Sequence, residues 1–135
     1  MKTRIFNGKQ QVFCEWRKKY VRLTPEEWVR QNFLHRLVDE FDYPANLIAV
    51  EVALEGKRAD AVVYTLDLQP LMLIEFKAET VALTQSVLDQ ATVYNRQLHV
   101  PYLILHNGPQ TIIARVTETE IVFSPEIPNF AILKS

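Results

Sequence analysis

The chain has 135 residues, of which 48% are hydrophobic, 23% charged and 10% aromatic; this is the make-up of an ordinary soluble globular domain, and at this length folding buries about two-thirds of the unfolded surface. Its 15 Lys and Arg against 16 Asp and Glu leave a net charge of -1, which excludes a protein that coats nucleic acid by bulk charge. The one cysteine, Cys14, excludes an intrachain disulfide framework and a zinc site and fits a reducing cytoplasm, while no apolar run reaches the roughly 18 residues needed to cross a bilayer and Met1-Lys2-Thr3-Arg4 leads into no signal-peptide core.

In chain order, Arg4 to Phe6 and Gln10 to Cys14 flank Asn7-Gly8, a turn dipeptide that tolerates positive φ, and predict a hairpin over residues 4–14. Arg17, Lys18, Lys19 and Arg22 follow as the densest basic cluster, with Lys57 and Arg58 as a second. Each is either a solvated loop or a phosphate-facing patch. Thr24 as a cap, Pro25 in the first turn and Glu27 to complete a capping box predict a helix running to about Phe41. Val29, Phe33, Leu37 and Phe41, with Leu34 and Val38, form its packing stripe, and Arg30, Arg36 and Asp39 are expected to face out. Asp42-Tyr43-Pro44 ends it.

Strands are expected at Leu47 to Leu54, Arg58 to Tyr64 and Leu71 to Ala78, joined closely enough for an antiparallel meander. A second helix follows at about Leu83 to Leu98, with Val87, Ala91, Tyr94 and Leu98 on one face. Further strands fall at Tyr102 to His106, Thr111 to Val116 and Ile121 to Phe123, and the tail past Pro125 and Pro128 is expected to be extended. The whole reads as one domain over 1–135, with a core at about 24–117: a mixed α/β sheet flanked by helices.

Two places break the apolar pattern that interior strands require. In Leu71-Met72-Leu73-Ile74-Glu75-Phe76-Lys77-Ala78, alternation puts Leu71, Leu73, Glu75 and Lys77 on one face. An acid, Asp60, opens the other apolar run on the side of Val62 and Tyr64. If these strands pair through the turn at 66–70, Asp60 comes close to Glu75. Two carboxylates in one place repel, and a hard divalent cation with oxygen ligands removes the repulsion. The plain alternative is a Glu75–Lys77 pair on an exposed sheet end, with Asp60 merely starting a strand.

These residues resemble the PD-(D/E)XK nuclease signature: Asp60, fourteen intervening residues, then Glu75-Phe76-Lys77. Gln90-Ala91-Thr92-Val93-Tyr94 matches the Gln-x-x-x-Tyr motif of RecB-type nucleases. Arg17-Lys18-Lys19-Tyr20-Val21, Thr24 to Gln31, Lys57-Arg58-Ala59-Asp60 and Ile74 to Ala78 are together similar to the N-terminal nuclease domain of type I restriction enzyme R subunits, over about residues 12–108. The resemblance implies a restriction-endonuclease-like fold and a DNA endonuclease that uses Mg²⁺ or Mn²⁺. Asp60 and Glu75 would then ligate the metal with the Phe76 carbonyl, Lys77 would act on the attacking water, and Gln90 and Tyr94 would support them. A first-helix acid often completes such sites; Glu26, Glu27 and Glu40 are all possible, and Glu51 is a further candidate. Lys18, Lys19, Arg22 and Arg58 are the DNA-binding candidates. Ala59 stands where the family pattern has proline, and neither a Gly-rich phosphate loop nor a helicase motor is present in these residues.

The competing reading is a non-catalytic DNA-binding or protein-interaction module on the same fold. His35, His99 and His106 are scattered and expected to be structural or solvent-facing, Cys14 is expected to be an ordinary strand cysteine, and Trp16 and Trp28 either stack on bases or, as favoured, anchor the basic segment to the core. The hairpin and Thr111 to Val116 are expected as sheet edges, through which the chain would form a homodimer or join a larger restriction complex.

Overall fold

The computed structural model describes residues 1–133. At the N-terminus β1 (Thr3–Phe6), β2 (Lys9–Cys14) and β3 (Lys19–Arg22) form a three-stranded antiparallel sheet. Asn7 and Gly8, at φ 51° and 76°, make the expected hairpin turn. The third strand was not expected. Its basic residues hid an alternation in which Tyr20 packs edge-on against Phe13, 5.4 Å between ring centroids, and the Arg4 guanidinium lies 3.9 Å from the Tyr20 ring centroid.

Helix α1 (Pro25–Phe41) starts where Thr24 Oγ1 accepts from the Glu27 amide at 3.0 Å. The reciprocal half of the capping box is missing, because the Glu27 carboxylate turns inward to Arg17, Arg30 and Gln31. Asp42, in the left-handed region at φ 62°, closes the helix, and the Tyr43 amide donates to the Leu37 carbonyl.

After a short 3-10 turn at Ala45–Leu47, β4 (Ile48–Leu54), β5 (Lys57–Tyr64) and β6 (Pro70–Phe76) form the expected antiparallel meander. Helix α2 (Gln85–Leu98) then crosses over, so that β7 (Tyr102–His106) lies parallel to β6. β8 (Thr111–Val116) and β9 (Ile121–Ser124) extend the sheet antiparallel, in the order β4-β5-β6-β7-β8-β9. This is a mixed α/β sheet flanked by helices. Strand β8, expected as an edge, is interior: β9 pairs with it and takes the edge position, leaving Ile121, Val122 and Phe123 exposed. The tail is not wholly extended either, since Phe130–Leu133 makes a short helix, α3, whose Phe130 packs on Tyr43. The Tyr43 hydroxyl donates to the Pro128 carbonyl at 2.8 Å.

The sheet is buried on both faces. Met72, Ile74 and Phe76 meet Phe33, Leu34 and Leu37 of α1 on one side, and Val62 and Leu73 meet Leu88 and Ala91 of α2 on the other. Leu71, expected on the Leu73 face, packs with the α1 side instead; it sits beside the register shift between Val63 and Tyr64 that interrupts strict alternation. Leu37 is fully buried at the centre of the α1 face. Leu37→Ala should lower the unfolding free energy by about 2–5 kcal/mol, read as a shifted urea midpoint at constant m-value; a loss under 1 kcal/mol would mean that α1 is not the wall of the core.

Candidate active site

The β5–β6 ladder pairs Ala61 with Ile74, which brings Asp60 level with Glu75. At that level side chains replace the main-chain ladder: the Phe76 amide donates to Asp60 Oδ2 at 2.7 Å, and the Asp60 amide donates to Glu75 Oε1 at 3.3 Å. On the other side of β5, Val50 pairs with Ala61 and Val52 with Ala59, so Glu51 stands level with Asp60. Glu51 adopts φ 50°, a left-handed conformation that costs a non-glycine residue about 1–2 kcal/mol. Three acids therefore lie abreast on three adjacent strands.

Their environments differ. Glu75 is 8% exposed, and its pKa is pushed up to about 9, first by burial and then by the Asp60 carboxylate, with Lys77 pulling the other way. The half-buried Lys77 follows two residues later, its amide continuing the β6–β7 ladder to the His106 carbonyl at 3.0 Å. Glu26, exposed to solvent in the first turn of α1 but partly covered there, titrates above the ordinary carboxylate range because of that partial covering and then Asp60, while Lys77 and Arg30 oppose the shift. The Tyr94 hydroxyl is likewise raised, by burial and then by Glu75 and Asp60. Asp60, Glu75, Lys77, Glu26 and Tyr94 thus share one neighbourhood between the N-terminus of α1 and the face of α2. Gln90, one turn before Tyr94, is exposed and makes no side-chain hydrogen bond among the described residues.

The remaining acids go elsewhere. Glu40 pairs with Arg36 on the surface, and Glu27 is 5% exposed in an ionic cluster with Arg17 and Arg30. Burial works to raise the Glu27 pKa, but Arg30 and then Arg17 outweigh it and hold it below the ordinary range. Glu51 is met by Arg17 at 3.1 Å, Arg30 at 3.5 Å and Arg58 at 3.6 Å. Arg30, expected to face solvent, is buried and reaches from Glu27 and Glu51 to within 3.9 Å of Asp60 Oδ1. Helical periodicity put it outside; the signal that finds it is its spacing three after Glu27 and four after Glu26.

In the basic segment, Arg17 is spent on Glu27, Glu51 and Cys14, whose sulfur accepts from the Arg17 amide and Nε. Lys18, Lys19 and Arg22 remain exposed, as does Arg58. Trp16 packs as favoured, its indole donating to the Ala45 carbonyl and its ring lying edge-on to His35, but Trp28 is 48% exposed rather than anchored. His106 is buried against Phe33, with Nδ1 at 2.7 Å from Thr111 Oγ1, and burial lowers its pKa to about 4. Among the described residues no three His, Cys, Asp or Glu side chains come together as a ready metal cage, and no helix is long and apolar enough to cross a membrane.

Fold and site together define a mixed α/β domain whose central strands end in a carboxylate pair and a lysine, between two covering helices. The chain belongs to the family described as type I restriction enzyme R protein N terminus, whose model matches residues 25–128. No curated protein matches it.

Two expectations test this geometry. The raised Glu75 pKa means that the proton stabilises the fold: that contribution is complete below about pH 4.5 and is lost as pH rises through about 9. Glu75→Gln makes the neutral state permanent. In chelator, its urea midpoint should exceed that of the wild type at pH 9 and vary less between pH 5 and pH 9; a variant weaker than wild type at pH 9 contradicts the assignment. Glu27→Ala removes the acid shared by Arg17 and Arg30 and should cost about 3–5 kcal/mol, because two guanidinium groups lose their buried partner. A loss below 1 kcal/mol by the same measurement would place the cluster in solvent.

Proposed function

We propose that this domain is a divalent-metal-dependent deoxyribonuclease that hydrolyses DNA phosphodiesters within a type I restriction system. The observation that carries the reading is the Asp60–Glu75 pair at the end of the β5–β6 ladder with Lys77 beside it: two acids that repel each other, one of them almost wholly buried. Family membership supports both the DNA substrate and the restriction context. The donors are all oxygen, which fits Mg²⁺ or Mn²⁺ and not a thiophilic metal. Asp60 and Glu75 would hold the ion, with the Phe76 carbonyl between Glu75 and Lys77 and with Glu26 as the first-helix acid nearest the pair. When bound, such an ion lowers the pKa of water and offsets charge growing on the phosphate.

The chain's own groups do the rest. Asp60 is oriented by the Phe76 amide and the Arg30 guanidinium, so its position does not depend on the ion. Lys77 supplies a fixed positive charge that orients the attacking water and stabilises the pentacoordinate phosphate. Tyr94 and Gln90, on the face of α2, position the scissile strand. Lys18, Lys19, Arg22 and Arg58 contact flanking phosphates. The exposed apolar edge at Ile121 to Phe123 provides a contact for a second copy or for a larger restriction complex.

A second reading has one specific support: Asp60 already accepts from an amide and faces Arg30, and no third acid completes a cage among the described residues. On that reading the domain binds DNA or a partner without cutting. Supercoiled plasmid with Mg²⁺ or Mn²⁺ separates the two. Wild type should nick or linearise it, and Lys77→Ala should slow cleavage about 100-fold while changing stability by less than about 1 kcal/mol. Cleavage that survives Lys77→Ala, or no cleavage with either metal, would favour the binding module. Neutralising Lys18 and Lys19 together should lower the salt dependence of DNA affinity by about two in log–log slope; an unchanged slope would remove them from the interface.

A further inference from the structure

Trp28 lies outside the Asp60–Glu75–Lys77 site. Its half-exposed indole borders a cleft of about 380 Å³, whose other walls come from Asn32, Phe33 and Arg36 of α1, from Glu79, and from His106 with the Gly108-Pro109 loop. We propose that this cleft receives one nucleobase of the DNA, unstacked from its neighbours and held beside the phosphate that Asp60, Glu75 and Lys77 engage; the proposal rests on the nuclease reading for the identity of that phosphate's site.

Position is the first argument. Glu79 lies two residues beyond Lys77, and Trp28 belongs to the first turns of α1 as Glu26 does, on a different side of the helix. Two residues of extended chain span at most about 7 Å. His106 pairs with Phe76 across the β6–β7 ladder, and its carbonyl accepts from the Lys77 amide. The cleft and the carboxylate pair therefore lie at the same end of the sheet.

Construction is the second. The loop that forms its far wall is tied at both ends by one buried side chain: Asn107 Nδ2 donates to the Val81 carbonyl at 2.9 Å, and its Oδ1 accepts from the Gln110 amide at 2.9 Å. Gly108, at φ 106°, turns the chain where a Cβ would lie 3.8 Å from Val29 and 4.0 Å from Glu79. The imidazole at the floor is fixed by Thr111 and by the Phe33 ring, 4.3 Å between centroids. Walls held in this way are formed before any ligand arrives, and the solvent-open cleft has room for a heterocycle.

Chemistry chooses the occupant. The indole offers a flat face for stacking, which is independent of base identity. Asn32 spends its Nδ2 on the Trp28 carbonyl, leaving its amide oxygen as an acceptor, and Glu79 adds a carboxylate that forms no salt bridge among the described residues. Acceptors on the wall repel a phosphate and suit the polar edge of a base. Arg36 is the arginine at the rim, where its Nε donates to Glu40 at 3.0 Å.

The test compares two probes of equal length in chelator, where nothing is cut: a single-stranded oligodeoxynucleotide, and the same sugar-phosphate chain made abasic. Wild type should bind the base-bearing probe about 5- to 150-fold more tightly than the abasic one, from stacking of a single base. Trp28→Ala should reduce that ratio towards one without changing affinity for the abasic probe, and Trp28→Phe should recover most of it. Intrinsic fluorescence gives a reading on unaltered protein: the base-bearing probe quenches tryptophan emission and the abasic probe does not, and the quenched component is missing in Trp28→Phe. Equal affinity for the two probes, a ratio untouched by Trp28→Ala, no quenching, or no binding of either probe overturns the proposal. Base-dependent binding through Trp28 in a protein that cuts no DNA with Mn²⁺ upholds the cleft and rejects the nuclease reading; cutting with a ratio independent of Trp28 does the reverse.

Discussion

Three carboxylates abreast on β4, β5 and β6 set the terms for the surrounding structure. Two unit charges 4 Å apart repel by about 4 kcal/mol at an effective dielectric of 20; Glu75 is raised by Asp60 in this way, and Glu51 stands level with them in register, in a sheet that is otherwise apolar. Each is relieved differently. Glu51 leaves the strand geometry, at φ 50°, and is met by three arginines. Asp60 takes the Phe76 amide and the edge of Arg30. Glu75, buried and facing Asp60, has the Asp60 amide and Lys77 against that repulsion, and burial still leaves its pKa raised to about 9.

The rest of the domain is arranged around that row. Helix α1 covers one face of the sheet with Phe33, Leu34 and Leu37, and its first turns deliver Glu26, Glu27 and Arg30 to the charged level. The N-terminal sheet contributes Arg17 from the turn between β2 and β3, so a segment outside the six-stranded sheet helps to neutralise Glu27 and Glu51. Helix α2 closes the opposite side with Tyr94, whose ring also carries Lys57 at 5.5 Å. Packing and electrostatics are thereby coupled: the elements that bury the core also hold the charges that a bare carboxylate pair requires.

Much of this was legible in the sequence because the relevant signals are local. Thr24-Pro25 and the apolar stripe from Val29 to Phe41 define α1 to the residue, and the close turns at Gly56 and before Pro70 define the meander that brings Asp60 to Glu75. The misreadings came where a tertiary partner overrode a local pattern. Arg30 and Glu27 are polar on a helix and read as exposed or capping, yet each is the other's buried counter-ion. Lys19 to Arg22 read as a basic loop because β-propensity in a charged tetrapeptide is decided by the strand it pairs with. Strand β8 read as an edge because the residues of β9 are few and follow a turn rather than a strong strand signal. Glu51 stands in the sequence only as a further candidate, since nothing in Val50-Glu51-Val52 announces a left-handed residue or the register that sets it level with Asp60.

On the proposed nuclease reading, Glu75 holds a proton near neutrality that a divalent cation shared with Asp60 would displace. Calorimetric titration of Mn²⁺ at pH 7, repeated in buffers of different ionisation enthalpy, counts the protons that binding displaces. The wild type should release close to one proton, Glu75→Gln almost none, and Asp60→Ala should not bind. Binding that releases no proton from the wild type, or that persists in Asp60→Ala, would contradict that reading.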